Sequence, residues 1–246
     1  MSDPEILVRD DADLLAATVA ARLVDHLLEL QSQGRAPSVV LTGGTIAEKV
    51  HRAVLEVPAH TSVDWSAVEV WFGDERYVEH ADAERNAGQA RDALLSRLPL
   101  DDARVHEMPA SDGPYGDDVD AAARAYADEL TRVLGAEPRF DVVMLGIGPD
   151  GHCASLFPGH EAVHADGLTV AERHSPKPPP VRISLTMGAL RSADEVWFIA
   201  AGEGKAQAVR DAMLGSDVAA VPASGPRGRD RTVWLLDQAA AAELRR

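Results

Sequence analysis

The feature of this 246-residue sequence that most constrains its fold is the alternation of short apolar runs with longer segments of helical periodicity. Apolar residues recur at helical spacing over residues 10–33, and β-branched or aromatic runs follow at 38–41, 68–72 and 140–145. Strands that alternate with helices favour a mainly parallel sheet covered on both faces. The pattern therefore predicts an α/β fold: a three-layer αβα, doubly wound, Rossmann-like sheet in a single domain over residues 1–246.

The same patterns place the remaining elements. Further strands are expected at residues 5–8, 182–185, 196–200 and 232–236, and further helices at 46–55, 86–98, 119–134, 187–192, 204–214 and 238–244. The proline-rich segment 174–180 is expected to run extended over the surface.

The charge and cysteine content exclude several classes of function. A net charge of −16 offers no general attraction for nucleic acid or anionic membranes, so an anionic substrate would need a local cluster of cations and N–H groups. One cysteine allows no intrachain disulfide. The first five residues show no signal peptide, and no apolar stretch approaches the ~20 residues of a membrane span. We expect a cytoplasmic protein.

Four polar or glycine-rich motifs each follow a predicted strand directly. Ligands of open parallel sheets bind outside the carboxyl ends of the strands, so these motifs are predicted to form one site. They are Thr42-Gly43-Gly44-Thr45, Gly73-Asp74-Glu75-Arg76, the loop that begins at Gly146, and Gly202-Glu203-Gly204-Lys205.

Each of three motifs has a functional and a structural interpretation. The Gly43-Gly44 turn either brings backbone and helix N–H groups to an anion or is only a tight turn. The charges that begin at Asp74 either serve a site or form a solvated loop with a surface ion pair. Lys205 either meets a phosphate or is simply exposed; Ala206 replaces the Ser or Thr that a P-loop requires.

The third loop, residues 145–159, contains His152 beside Asp150. Its Gly-x-Gly-x-x-Gly spacing matches a dinucleotide fingerprint, but Pro158-Gly159 stops the long helix that nicotinamide binding requires. We place His152 at a helix start, where the positive helix end would keep its ring neutral and able to act as a general base. Asp150 would orient the ring or a water; a purely structural histidine is the alternative.

Other catalytic chemistries have little support in the sequence. The nine histidines are scattered and no Cys-x-x-Cys spacing appears, so no metal site is expected. No Gly-x-Ser-x-Gly elbow is present, and Ser155 is expected to be an ordinary residue of a packed turn.

The loop motifs together resemble a known family. Gly73-Asp74-Glu75-Arg76, Asp82, Asn86, the string of residues 145–159, the stretch 180–186 and Gly204-Lys205 are similar to 6-phosphogluconolactonase, over about residues 39–244. The related glucosamine-6-phosphate deaminases share Asp-Gly-His but continue toward Asn-Glu-Pro instead of Ser-Leu-Phe-Pro, which favours the lactonase branch. The chain departs from the family pattern in the first loop, where Thr42-Gly43-Gly44-Thr45-Ile46-Ala47 replaces the Ser-Gly-Gly-Ser-Thr-Pro of many members, and at Arg85 and Cys153.

The resemblance implies an enzyme that hydrolyses 6-phospho-D-glucono-1,5-lactone to 6-phospho-D-gluconate in the oxidative pentose phosphate pathway. It implies no cofactor, no nucleic acid or membrane partner, and a monomer or weak homodimer. A sugar-phosphate deaminase or isomerase, or a non-catalytic sugar-phosphate binding protein, remains as an alternative. The implied catalytic residues are His152, Asp150 and Asp74, and the implied substrate- or phosphate-binding residues are Gly43, Gly44, Thr45, Arg76, Arg182 and Lys205.

Overall fold

The computed structural model describes residues 4–245; residues 1–3 and 246 of the predicted domain, including most of the segment searched for a signal peptide, lie outside it. The strands are β1 (Glu5–Arg9), β2 (Ser38–Leu41), β3 (Glu69–Phe72), β4 (Asp74–Arg76), β5 (Val142–Leu145), β6 (Thr169–Glu172), β7 (Arg182–Leu185), β8 (Glu195–Ala200) and β9 (Arg231–Asp237). The α-helices are α1 (Ala12–Ser32), α2 (Thr45–Val54), α3 (Asn86–Ala93), α4 (Val119–Leu134), α5 (Met187–Leu190) and α6 (Ala206–Met213).

Six strands form the central sheet, in the order β1-β9-β8-β5-β2-β3, and every neighbouring pair is parallel. The predicted parallel α/β sheet is confirmed. The chain runs from β2 outward to β3 and then returns to the other side of β2 with β5. The carboxyl ends of β2 and β5 thus flank a topological switch point, where open α/β sheets bind their ligands.

Hydrophobic side chains cover both faces of this sheet. In β8 every residue is buried, with Trp197 in one core cluster and Phe198 in the other, because successive side chains of a strand point to opposite faces. Trp71 and Phe72 of β3 divide in the same way. This explains why the strands lack the apolar–polar alternation of a sheet with one wet face.

A second sheet corrects the sequence-based prediction. It is antiparallel, in the order β4-β7-β6. Residues 74–76 were expected in a loop but form β4, β6 was not predicted, and β7 belongs here instead of in the parallel sheet. β4 consists of three charged residues and β6 of Thr-Val-Ala-Glu, so neither contains the kind of apolar run that predicted the other four-residue strands.

One buried histidine of α2 makes the stability of this fold sensitive to acid. His51 is 3% exposed, its Nε2 has no hydrogen-bond partner, and burial lowers its pKa to about 4 although the nearby Glu48 opposes the shift. The unfolded chain binds a proton near pH 6.5, so stability is fully present above that pH and falls as the pH drops toward 4. We expect His51→Leu to reduce the acid-induced loss of unfolding free energy between pH 7 and pH 4 by about 3 kcal/mol.

Denaturant unfolding at both pH values measures this difference, and an equal loss in wild type and variant would contradict it.

His106 does not confound the test. Burial opposes the charged form of His106, but hydrogen bonds to Glu129 and Glu69, both 2.7 Å, outweigh it and raise its pKa above 6.5. Its contribution is therefore complete below pH 6.5 and is lost only as the pH rises through its folded pKa.

Candidate active site

A cavity of about 630 Å³ opens at the carboxyl edge of the parallel sheet. All four predicted loops contribute to its lining, so their predicted convergence is found in the structure. The cavity-lining residues among those implied by the sequence are Gly43, Gly44, Thr45, Asp74, Arg76, His152, Arg182 and Lys205. Asp150, the ninth, is not in the lining and contacts His152 instead.

The His152 ring is held by Asp150 through a contact of 2.5 Å between Nδ1 and Oδ1. Burial would raise the pKa of Asp150, but the hydrogen bond and charge of His152 outweigh it and lower the pKa to about 2. An ionised carboxylate can only accept, so Nδ1 carries the proton and the neutral ring has its lone pair on Nε2. Nε2 has no hydrogen-bond partner among the described residues, so it is the nitrogen left to act as a base.

The expected helix start at His152 is wrong. Residues 149–159 form turns with an isolated bridge between Cys153 and Leu156, and no helix begins there. The loop closes on itself instead, since Gly148 N–H donates to His152 O at 2.8 Å and Gly151 N–H to Gly148 O at 3.0 Å. Hydrogen bonding by Asp150, rather than a helix dipole, thus orients the histidine.

The positions of His152 and Asp150 leave no room for a side chain at Gly148. A β-carbon there would lie 2.0 Å from His152 Nδ1 and 2.3 Å from Asp150 Oδ1, far inside van der Waals contact. We expect Gly148→Ala to push the pair apart and lower kcat at least 10-fold, a loss of about 1.4 kcal/mol of transition-state stabilisation. Steady-state kinetics with a thermal melt of each variant test this.

Gly88 in α3 provides the matched control, because a β-carbon there meets nothing within 4 Å. Gly88→Ala should leave kcat unchanged. Equal kcat values for Gly148→Ala and wild type would show that the geometry of the His152–Asp150 pair does not affect turnover.

Asp74 is held at the cavity wall by two residues that lie 12 and 81 positions further along the chain. Ser155 Oγ donates to Asp74 Oδ2 at 2.6 Å, and Asn86 Nδ2 donates to Asp74 O at 2.9 Å. Ser155 is fully buried in a turn, as the packed-turn prediction implies, and its hydrogen bond to Asp74 also links the histidine loop to β4, which the sequence did not indicate. No local signal could have revealed this, because 81 positions separate the two residues.

Glu75 does not belong to the cavity, although it lies between two residues that do. It is 1% exposed and accepts hydrogen bonds from the N–H groups of Arg76, Asn86 and Ala87 at 2.7–2.9 Å. Burial raises its pKa, against the opposing charge of Arg85 and these N–H groups. Glu75 therefore anchors the start of α3 and, with it, Asn86.

Three lysines line the cavity, and two of them have no ion-pair partner among the described residues, whereas Lys49 pairs with Asp13. Lys205, from the loop after β8, and Lys177, from the proline-rich loop, both line it, and neither forms an ion pair within the described residues. Burial lowers the pKa of Lys205 and the charge of Lys177 lowers it further, while Asp150 opposes this. Lys177 was missed because only the fold brings its loop over the cavity.

The two arginines at the cavity are already engaged. Arg182 is 5% exposed and donates to backbone carbonyls of the proline-rich loop. Arg76 donates from Nη1 to the carbonyl oxygen of Glu84 and also lines an adjoining polar cavity of about 390 Å³. Their strands pair at Arg76 and Arg182, which puts both guanidinium groups at one side of the site.

The start of α2 supplies uncharged donors. Its N-cap, Gly44, has φ +98° and no side-chain cap bonds to the first turn, so the N–H groups there remain available to an anion. Ile46 lines the cavity, whereas Cys153 is fully buried and does not. Burial raises the pKa of the Cys153 thiol, so this departure brings no thiolate to the site.

Neither a metal cluster nor a membrane-crossing helix is found in residues 4–245. The only His-x-x-x-His spacing, at His160 and His164, forms no such cluster, and His160 Nδ1 contacts Glu172 instead. Every helix in that range is too short or too polar to cross a bilayer.

Fold and site together define a doubly wound α/β protein with a His–Asp pair in a lysine-lined cavity at the switch point. The family model described as glucosamine-6-phosphate isomerases/6-phosphogluconolactonase matches residues 10–234. The chain therefore belongs to the glucosamine-6-phosphate isomerase/6-phosphogluconolactonase family.

Individual relatives agree with this assignment. The chain is 51% identical to a 6-phosphogluconolactonase of Streptomyces coelicolor, over 100% of this chain and 97% of that one. It is 45% identical to a 6-phosphogluconolactonase of Mycobacterium tuberculosis, over 95% and 96%. The solved 6-phosphogluconolactonase of Trypanosoma brucei superposes with a TM-score of 0.84 at 27% identity, over 99% and 100%. The resemblance to the lactonase branch stated from the sequence is confirmed.

Proposed function

We propose that the protein hydrolyses 6-phospho-D-glucono-1,5-lactone to 6-phospho-D-gluconate, with His152 as general base. The observation that carries this is the free Nε2 of His152, on a ring whose Nδ1 proton is held by Asp150, in a cavity with two unpaired lysines. The names of the relatives support the substrate.

The residues supply each proton transfer of the reaction. His152 Nε2 takes a proton from water while the water oxygen attacks C1 of the lactone. The tetrahedral intermediate then collapses, the bond from C1 to the ring oxygen breaks, and Nε2–H returns the proton to that oxygen. The carboxylic acid formed at C1 loses its remaining proton to solvent, which gives 6-phospho-D-gluconate. Asp150 stays ionised throughout and stabilises the imidazolium between the two transfers.

Charge in the cavity determines how the substrate is oriented. We assign the phosphate to Lys177 and Lys205, and the oxyanion that develops at C1 to Arg76 and the N–H groups of the Gly43–Gly44–Thr45 turn. The Asp74 carboxylate, fixed by Ser155 and Asn86, would accept hydrogen bonds from sugar hydroxyls.

A lactonase assay on freshly generated 6-phosphogluconolactone, corrected for spontaneous hydrolysis, tests the proposal. We expect turnover well above the spontaneous rate, and no ammonia from glucosamine 6-phosphate. Ammonia release would favour the deaminase alternative. Binding of 6-phosphogluconate without turnover would favour a binding protein.

Location and assembly form the finer part of the proposal. We propose a cytoplasmic enzyme that acts on this sugar phosphate as a monomer or weak homodimer, without nucleic acid or membrane partners. Light scattering at several protein concentrations tests the oligomeric state, and a concentration-independent larger assembly would contradict it.

A further inference from the structure

The proline-rich loop that lines the cavity has few backbone hydrogen bonds of its own. Four of the seven residues 174–180 are proline and lack an N–H donor. Within the loop, Ser175 N–H donates to Pro180 O at 3.0 Å, and Ser175 Oγ bridges the N–H and carbonyl of Lys177. The carbonyls of Pro178 and Pro179 need donors from elsewhere.

Arg182 supplies those donors. Its Nε donates to Pro179 O at 2.7 Å, and its Nη2 donates to Lys177 O at 3.0 Å and to Pro178 O at 3.3 Å. One rigid guanidinium thus holds three consecutive carbonyls, which a lysine ammonium cannot do in the same geometry.

The base of this arrangement is itself fixed. Arg182 begins β7, where it pairs with Arg76 of β4 on one side and Glu172 of β6 on the other. Burial lowers the pKa of Arg182, and the negative charge of Asp74 opposes this. A buried cation is costly, and here its hydrogen bonds are directed to the loop that carries Lys177.

We propose that Arg182 is a positioning residue: its guanidinium holds the loop of residues 174–180 so that Lys177 stands over the cavity with Lys205 and receives the substrate phosphate. The inference rests on the proposed function only for the identity of the ligand. It differs from the sequence-based expectation for Arg182, which was direct phosphate binding.

The test compares Lys177→Met, Arg182→Lys and the double variant, with binding of 6-phosphogluconate measured by calorimetry. We expect each single substitution to weaken binding by about 10- to 100-fold, because each costs a charged hydrogen bond to phosphate. The double variant should bind no more than about 3-fold more weakly than Lys177→Met, since both changes remove the same interaction. The proposal would be overturned if the double variant lost affinity by the product of the two single losses. It would also be overturned if Arg182→Lys bound 6-phosphogluconate as tightly as the wild type.

Two further measurements separate positioning from a general loss of structure. Exchange of the Ser175 and Lys177 amides, which donate to Pro180 O and Ser175 Oγ, should accelerate in Arg182→Lys but not in Lys177→Met. The amides of α4 should exchange as in the wild type in both variants. Unchanged exchange of the loop amides in Arg182→Lys, or an equal acceleration in α4, would contradict the proposal.

Two other variants serve as checks. Ser175→Ala loosens the same loop without altering any charge, so it should weaken binding of 6-phosphogluconate, but by less than Arg182→Lys does. This variant tests the proposal even if Arg182→Lys folds poorly. Arg173→Lys changes an exposed arginine that pairs with Asp120, and should bind normally. Because binding needs no turnover, an absence of lactonase activity would refute the proposed function while leaving this inference testable.

Discussion

Replacing His152 by asparagine is expected to lower kcat for 6-phosphogluconolactone by about 10²- to 10⁴-fold, the usual contribution of a positioned general base. Asparagine retains an N–H that can donate to Asp150, as Nδ1 does at 2.5 Å, but it has no counterpart of Nε2. The loss should fall on kcat and leave KM within a few fold, because the cations that we propose for the phosphate are unchanged.

The measurement is a steady-state assay with the spontaneous rate subtracted. His164, which is exposed, provides a matched control, and His164→Asn should retain full activity. A His152→Asn enzyme as fast as the wild type would rule out the general-base assignment. Loss of activity with loss of folding would show as a lower melting temperature, which we do not expect for a loop residue at the cavity surface.

Replacing Glu75 by alanine is expected to lower the free energy of unfolding by about 3–5 kcal/mol. The substitution leaves three backbone N–H groups without acceptors and removes the carboxylate that lies 3.8 Å from the buried Arg85. For a chain of this size the loss corresponds to a fall in Tm of roughly 6–20 °C.

Glu84 is the control for this prediction, since it lies nearby in sequence but its side chain is 60% exposed. Glu84→Ala should change stability by less than about 0.5 kcal/mol. If denaturant unfolding gives similar values for the two variants, the burial of Glu75 contributes nothing to the fold. The activity of Glu75→Ala should also fall, because α3 carries Asn86 and Asn86 holds Asp74.

Long elements could be predicted because their patterns are repeated many times. The helix of residues 119–134 was predicted with the bounds of α4, where sixteen residues give several turns of periodic burial between Asp118 and Gly135. The pairing of β4 with β7 in the small antiparallel sheet was missed because it joins residues about a hundred positions apart, as Asp74 and Ser184 are. Such pairing leaves no local periodicity to detect.

Some residues of the site could be predicted from the sequence and others could not, for the same reason. His152, Asp74 and Lys205 could be nominated because each stands in a polar motif directly after a strand, and parallel strands bring such motifs to one edge. Lys177 stands in a loop that follows no strand of the parallel sheet, and nothing in its neighbours distinguishes it from a surface lysine. Ser155 and Glu75 act through hydrogen bonds that only the folded chain forms.

The sequence by itself determined the parallel sheet, the edge at which a ligand would bind, and the family, because these depend on periodicity and on strings of neighbouring residues. The tertiary structure alone decided which partners each charged side chain contacts there. Arg182 and Lys205 both line the cavity, but Arg182 donates to backbone carbonyls, whereas Lys205 forms no ion pair within the described residues. The interactions of a charged group are set by the hydrogen-bond partners within about 3 Å of it. For Arg182 those partners lie in a loop whose path no pattern in the sequence specifies.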